Sequence, residues 1–169
     1  METGYIEYMV RRLPQPMDAL KKLGIALVGI AIMAAGIIWA GILSILIIGG
    51  VLVGVFWLYK QFEIEYEYIY TDGQLDVDKI IARERRKSVL TIDVTEFEVF
   101  APVKPEYFGA FEKQEFQRRI DASTSPLSKE RWFAVYQGEG GKTLLIFEPN
   151  QTIIQAIRRQ IPSRVQGMR

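Results

Sequence analysis

From Leu23 to Tyr59 the chain runs for 37 residues without an Asp, Glu, Lys or Arg, bracketed by Lys22 and Lys60. No other feature restricts the fold as much. As a single helix this run would extend about 55 Å, against a hydrocarbon core of about 30 Å. Two antiparallel helices of about 17 to 18 residues fit better. The reversal is predicted within "IIWAGIL", with Trp39 at the far interface and Gly41 in the tight turn. Each arm would be about 26 Å long, so local thinning or a re-entrant pair is the alternative to full crossing, and Trp39 favours crossing. A signal peptide is shorter and ends in a small-residue cleavage site, whereas this run ends in the aromatic "FWLYK", so it is expected to be retained. Two crossings place both flanks on one side. Every Lys and Arg lies in those flanks, and Arg11, Arg12, Lys21 and Lys22 mark that side as cytoplasmic.

Inside the hairpin Ser44 is the one polar side chain besides the interfacial aromatics, so no ion or proton path is expected. Small residues recur at four-residue spacing in Ala31 with Ala35, Gly36 with Ala40, and Gly50 with Gly54, which lets helix backbones approach closely. Packing within the hairpin and packing against a second copy or a membrane partner both use such ridges. Before the hairpin, Ile6, Met9, Val10 and Leu13 stand at helical spacing ahead of a Pro14-Gln15-Pro16 break. That pattern predicts a short amphipathic segment at the membrane surface, or one docked on the soluble domain.

After Gln61 the period changes to two. Phe62, Ile64, Tyr66, Tyr68 and Tyr70 share one face, with Glu63, Glu65 and Glu67 on the other. Asp72-Gly73 is a hairpin signal, leading into "QLDVDKII". "KSVLTIDV" and "TEFEVFAPV" read as the next two strands, ended by Pro102 and Pro105; residues 105–118 are a short helix or a long insertion carrying Phe108, Phe111 and Phe116. "RIDASTS" is a candidate fifth strand. "RWFAVYQ" and "KTLLIFE" form a hairpin closed by "GEGG". The stretch "QGEGGKT" is not a phosphate-binding loop, because that motif needs a glycine where Tyr136 stands and a helix where "TLLIFEP" follows. A final helix is capped by Asn150 and stopped by Pro162, with Ile153, Ile154, Ile157 and Ile161 on one face.

Seven strands and one terminal amphipathic helix form an open barrel or sandwich that the helix can plug. This order, with "YIYTDGQLDVDKIIARERR" after a transmembrane hairpin and "FEPNQTIIQAIRR" at the end, resembles small bacterial membrane proteins that carry a pleckstrin-homology-like domain. The resemblance runs from about Tyr5 to Pro162. It implies a mainly-β fold and a place at the bacterial cytoplasmic membrane, with both termini cytoplasmic, and names no reaction. The expected division is an interfacial segment over 1–22, the hairpin over 23–59, the β domain with its helix over 60–162, and a basic tail over 163–169.

Enzyme chemistry is not expected. The chain contains no His and no Cys, which removes the usual neutral-pH base, the thiolate nucleophile and most transition-metal ligands. Asp72, Asp76 and Asp78 miss the calcium-loop spacing, and "DASTS" has hydroxyls without a base to activate them. No catalytic, cofactor or metal residue is assigned. The charged candidates are Arg83, Arg85, Arg86 and Lys87, together with Arg158, Arg159, Arg164 and Arg169. Lipid-binding pleckstrin-homology domains carry basic residues on their first two strands and the joining loop. Here that loop is "TDG", so the resemblance implies no headgroup specificity; non-specific attraction to an anionic leaflet and a simply solvated surface both fit. With a formal net charge of +1, nucleic acid is not an expected partner. Membrane lipid and a protein partner are. A tether joined to a sheet domain without catalytic chemistry points to a non-enzymatic binding or scaffold module at the cytoplasmic face. The alternatives are an anionic-lipid-responsive module, or a structural subunit of an oligomer built through Gly50 and Gly54.

Overall fold

The computed structural model describes residues 4–138 and 140–167, so Glu139 of the Gly-rich bend and Arg169 of the tail lie outside the described residues. The chain divides into two compact units, one formed by Leu13–Ile64 with Ile81–Arg85 and the other by the rest.

The first unit is a pair of apolar helices. Helix α1 spans Pro16–Trp39 and α2 spans Ser44–Lys60. α1 starts where the Pro14-Gln15-Pro16 break predicts: Pro16 presets the first helical φ, and the Gln15 N–H donates to Asp18 Oδ2 at 3.0 Å, satisfying one of the free donors of a helix start. It therefore begins before the uncharged run and carries Asp18, Lys21 and Lys22 inside its first turns. The reversal falls at the expected place. Gly41 takes φ +54°, a left-handed conformation suited to glycine, in a one-turn 3₁₀ segment over Gly41–Leu43. Pro16–Trp39 and Gly41–Lys60, the latter joining the 3₁₀ turn to α2, are each long and apolar enough to cross a bilayer, with mean hydropathies of 2.1 and 2.5. They pack through two notches: a Cβ on Gly29 would lie 3.1 Å from Val55, and one on Gly36 would lie 3.1 Å from Ile47.

The second unit is built from two four-stranded sheets that do not close into a barrel. One has the order β1-β2-β3-β4, made of Ile6–Arg11, Ile64–Thr71, Gln74–Ile81 and Arg85–Asp93. The other has the order β5-β7-β8-β6, made of Phe97–Pro102, Trp132–Gly138, Gly141–Phe147 and Arg118–Asp121. Every strand expected after Gln61 is present. β1 corrects the helical reading of this segment and follows the docked alternative: it pairs antiparallel with β2, Val10 opposite Tyr66 and Ile6 opposite Tyr70. Its residues Ile6, Tyr8 and Val10 also alternate, and pairing with a ready sheet edge satisfies the backbone of a short segment that cannot sustain a helix alone. The Asp72-Gly73 turn has φ of 47° and 100°, as a two-residue hairpin turn demands.

The core is aromatic. Tyr68, Phe97, Phe100 and Phe147 are fully buried, with Tyr68 edge-on to Phe147 at 5.4 Å and Phe100 5.9 Å from the same ring. The Tyr68 hydroxyl donates to the Ala122 carbonyl at 2.6 Å and accepts from the Glu148 N–H at 3.3 Å, joining β2 to the ends of β6 and β8. Residues 105–118 resolve into helix α3, Pro105–Glu112, followed by a loop; Phe108 and Phe111 lie 5.0 and 5.3 Å from Phe133. Helix α4, Gln151–Gln160, is capped as expected by Asn150, whose side chain accepts from the Ile153 N–H at 2.8 Å. Ile153, Ile154, Ile157 and Ile161 are all buried.

Candidate functional site

β4 ends its sheet, so one side of its backbone has no strand neighbour among the described residues. The reason is the exit at Asp93. There the carboxylate accepts from the Thr95 N–H and hydroxyl at 2.8 and 2.6 Å, turning the chain through a 3₁₀ segment into β5 of the other sheet. A groove of about 650 Å³ runs along the edge left behind. One wall is the continuous stretch Ser88, Val89, Leu90, Thr91 and Ile92. The other walls are Glu96, Arg118, Tyr136, Gly138, Gly140 and Thr143.

The groove is lined mainly by hydrogen-bonding groups. Arg118, at the start of β6, donates through Nη2 to the Val89 carbonyl at 3.2 Å and so covers one point of the edge. Tyr136 is buried, and burial pushes its phenol above the ordinary tyrosine range, so it is a neutral hydroxyl at physiological pH. Thr143 is also buried and donates to the Gly141 carbonyl at 3.1 Å. One cation, one carboxylate and several hydroxyls beside an open strand edge can hold an extended main chain. They do not supply a tuned acid and base facing a nucleophile.

The basic cluster has a different character from the one its sequence suggests. Arg86 lies with Nη2 2.6 Å from Glu67 Oε2 and Nη1 3.7 Å from Asp78, while Glu67 is only 2% exposed. The close approach is an ion pair without hydrogen-bond alignment, since that Glu67 oxygen has no hydrogen-bond partner. Burial, then a hydrogen bond with Glu7, pushes Glu67 above the ordinary carboxylate range; Glu7 is held below it, first by the Tyr5 hydroxyl at 2.7 Å and then by Glu67. Arg86 is thus a counter-ion to Glu67 on β2 and Asp78 on β3. Arg83 stands 3.7 Å from Glu63 in a turn where both Ala82 and Arg83 have positive φ, and Arg85 is exposed. Lys87 is exposed on β4. Arg158 and Arg159 lie exposed in the last turn of α4, where cations suit the helix dipole. Arg164 donates to the Thr95 and Phe97 carbonyls and is a structural tether.

Of the small residues on the two helices, Gly36 is the notch that receives Ile47, and the Ala40 N–H caps α1 by donating to the Gly36 carbonyl at 2.9 Å. Gly50 and Gly54 have no atom within 4 Å of where a side chain would begin. Both positions border open space. Arg118, Tyr136 and Thr143 carry no motif, and only the strand order, which brings β4, β6, β7 and β8 around one groove, marks them out.

No curated protein matches the chain. Residues 2–167 match the family described as a bacterial PH-like domain (DUF6106), which spans both the apolar helices and the two sheets. The chain belongs to that family of bacterial PH-like domain proteins.

Proposed function

We propose that this protein is a membrane-anchored, non-enzymatic module that holds a protein partner at the cytoplasmic face of a bacterial membrane, taking an extended segment of that partner along the outer edge of β4. The groove beside Ser88–Ile92 carries this reading. Strand addition draws affinity from main-chain hydrogen bonds and specificity from alternate side chains, and five residues of strand offer about 17 Å of edge. Arg118 covers one carbonyl of that edge in the absence of a partner, a common way of keeping open edges from self-association. The basic cluster supports a lipid-directed reading less well, because Arg86 and Arg83 each stand beside a carboxylate.

The test places a photo-crosslinking residue at Val89, Leu90 or Thr91 of the full-length protein in its own membrane, with Gln155 on α4 as the control. One discrete partner, captured from the β4 positions through the same short segment and not from Gln155, is the expected result. Adducts with this chain alone, or the same products from Gln155, would remove the proposal.

A further inference from the structure

The two helices touch closely at Gly36 and Gly29, and toward the charged ends one face of the pair is left open beside the Gly29 contact. Between them lies a groove of about 630 Å³, lined by Gly24, Val28, Ile32, Val51 and Gly54, with Lys21 at its mouth. Neither Gly24 nor Gly54 has an atom within 4 Å of where a Cβ would stand, so the glycines leave space that no side chain of the hairpin fills. From Lys21 to Ile32 the groove follows α1 for about 16 Å, roughly half of a 30 Å hydrocarbon core. Along α1 the lining ends at Ile32, about one turn before Gly36, where Ile47 packs against the helix.

We infer that this groove holds one acyl chain of an anionic phospholipid from the leaflet on the Lys21 side, with the lipid phosphate at the Lys21 ammonium. The depth argues for a lipid tail over a second transmembrane helix, which would need a contact face running through both leaflets. The charge argues for an anionic headgroup. Lys21 is exposed and has no carboxylate partner among the described residues. Its neighbour Lys22 is already engaged, with its ammonium 5.7 Å from the Tyr59 ring and 5.6 Å from the Phe62 ring, and Tyr59 donates to the Lys22 carbonyl at 2.8 Å. Those contacts fix the first turns of α1 against the end of α2 and leave Lys21 to meet the headgroup. This inference rests on the helix pair alone and is independent of the β4 groove.

Native mass spectrometry of the full-length protein released from bilayers of mixed phosphatidylglycerol and phosphatidylcholine tests it. The wild-type protein should retain one phospholipid, enriched in phosphatidylglycerol by about fivefold over the bulk, the factor that one interfacial lysine contributes. Lys21→Gln should keep a lipid but return its composition to that of the bulk. Gly54→Leu fills the groove and should lose the bound lipid, whereas Gly49→Leu, which adds the same side chain outside the groove, should keep it. Unchanged headgroup preference in K21Q, an unchanged adduct in G54L, or disulfide-linked dimers formed efficiently through Gly54→Cys would overturn the assignment. K21Q leaves the apolar packing intact, so its result stands even where G54L folds poorly.

Discussion

Single side chains decide how the two sheets are held and how the fold responds to pH. Tyr68 is one such residue, since its hydroxyl serves a carbonyl and an N–H from the far sheet inside the buried core. Tyr68→Phe keeps the ring contact with Phe147 but strands both backbone groups, and should lower stability by about 1–3 kcal/mol in denaturant titrations. A loss below a few tenths would mean those groups find other partners. Glu67 is the second. A carboxyl whose folded-state pKa is raised contributes stability that is fully present below its unfolded value and is lost as pH rises through the folded one. Glu67 is such a group; Glu7, held low, contributes in the opposite sense, above its unfolded value, and loses its part on acidification. Glu67→Gln keeps the shape and cannot ionise. Its stability relative to wild type should therefore increase as pH climbs from the ordinary glutamate range upward. Parallel profiles for the two proteins would show that Glu67 does not sense pH in the fold.

Elements with strong local chemistry are legible in the sequence, and those decided by distant partners are not. Asn150 before the isoleucine stripe, Asp72-Gly73 between alternating runs, and Gly41 after Trp39 each satisfy a local backbone need, and each forms the cap or turn expected of it. Ile6–Arg11 fits a helical and an alternating pattern at once, and its partner β2 lies beyond the whole hairpin, so only the fold can choose between them. The Ala82-Arg83 turn carries neither Gly nor Asn to announce its positive φ. The β4 edge was equally hidden, because being an edge is a property of strand order and not of Ser88–Ile92. Small residues show the same division: Gly36-Ala40 and Gly50-Gly54 have identical spacing but opposite surroundings. Gly36→Leu should force Ile47 out of its notch at a cost of about 1–3 kcal/mol, read as a lower thermal midpoint of helix unfolding in detergent. Gly50→Leu, with open space around it, should leave that midpoint unchanged. Equal effects would place α1 and α2 in a different rotational setting.

At the scale of the whole molecule, the partner and lipid readings share a requirement: the residues before and after the hairpin must lie on the same, cytoplasmic side. Charge asymmetry argues for this, since Arg11, Arg12, Lys21 and Lys22 precede the first helix and Lys60 ends the second, whereas the reversal from Trp39 to Ser44 carries no charge at all. Length argues for it too: α1 and α2 extend about 36 and 26 Å, enough for each to traverse a core of about 30 Å with modest adjustment. The natural chain has no cysteine, so single thiols can report on each side without background. Leu127→Cys, on a loop residue that is 90% exposed, should react with a membrane-impermeant maleimide only after the cells are permeabilised. Ile42→Cys, 85% exposed at the reversal, should react in intact spheroplasts. If both thiols wait for permeabilisation, the helices form a re-entrant pair that never reaches the far face, and the lipid groove loses its match to one leaflet. Should Leu127→Cys react from outside, the edge of β4 would face away from every cytoplasmic protein and the proposed partner could not exist.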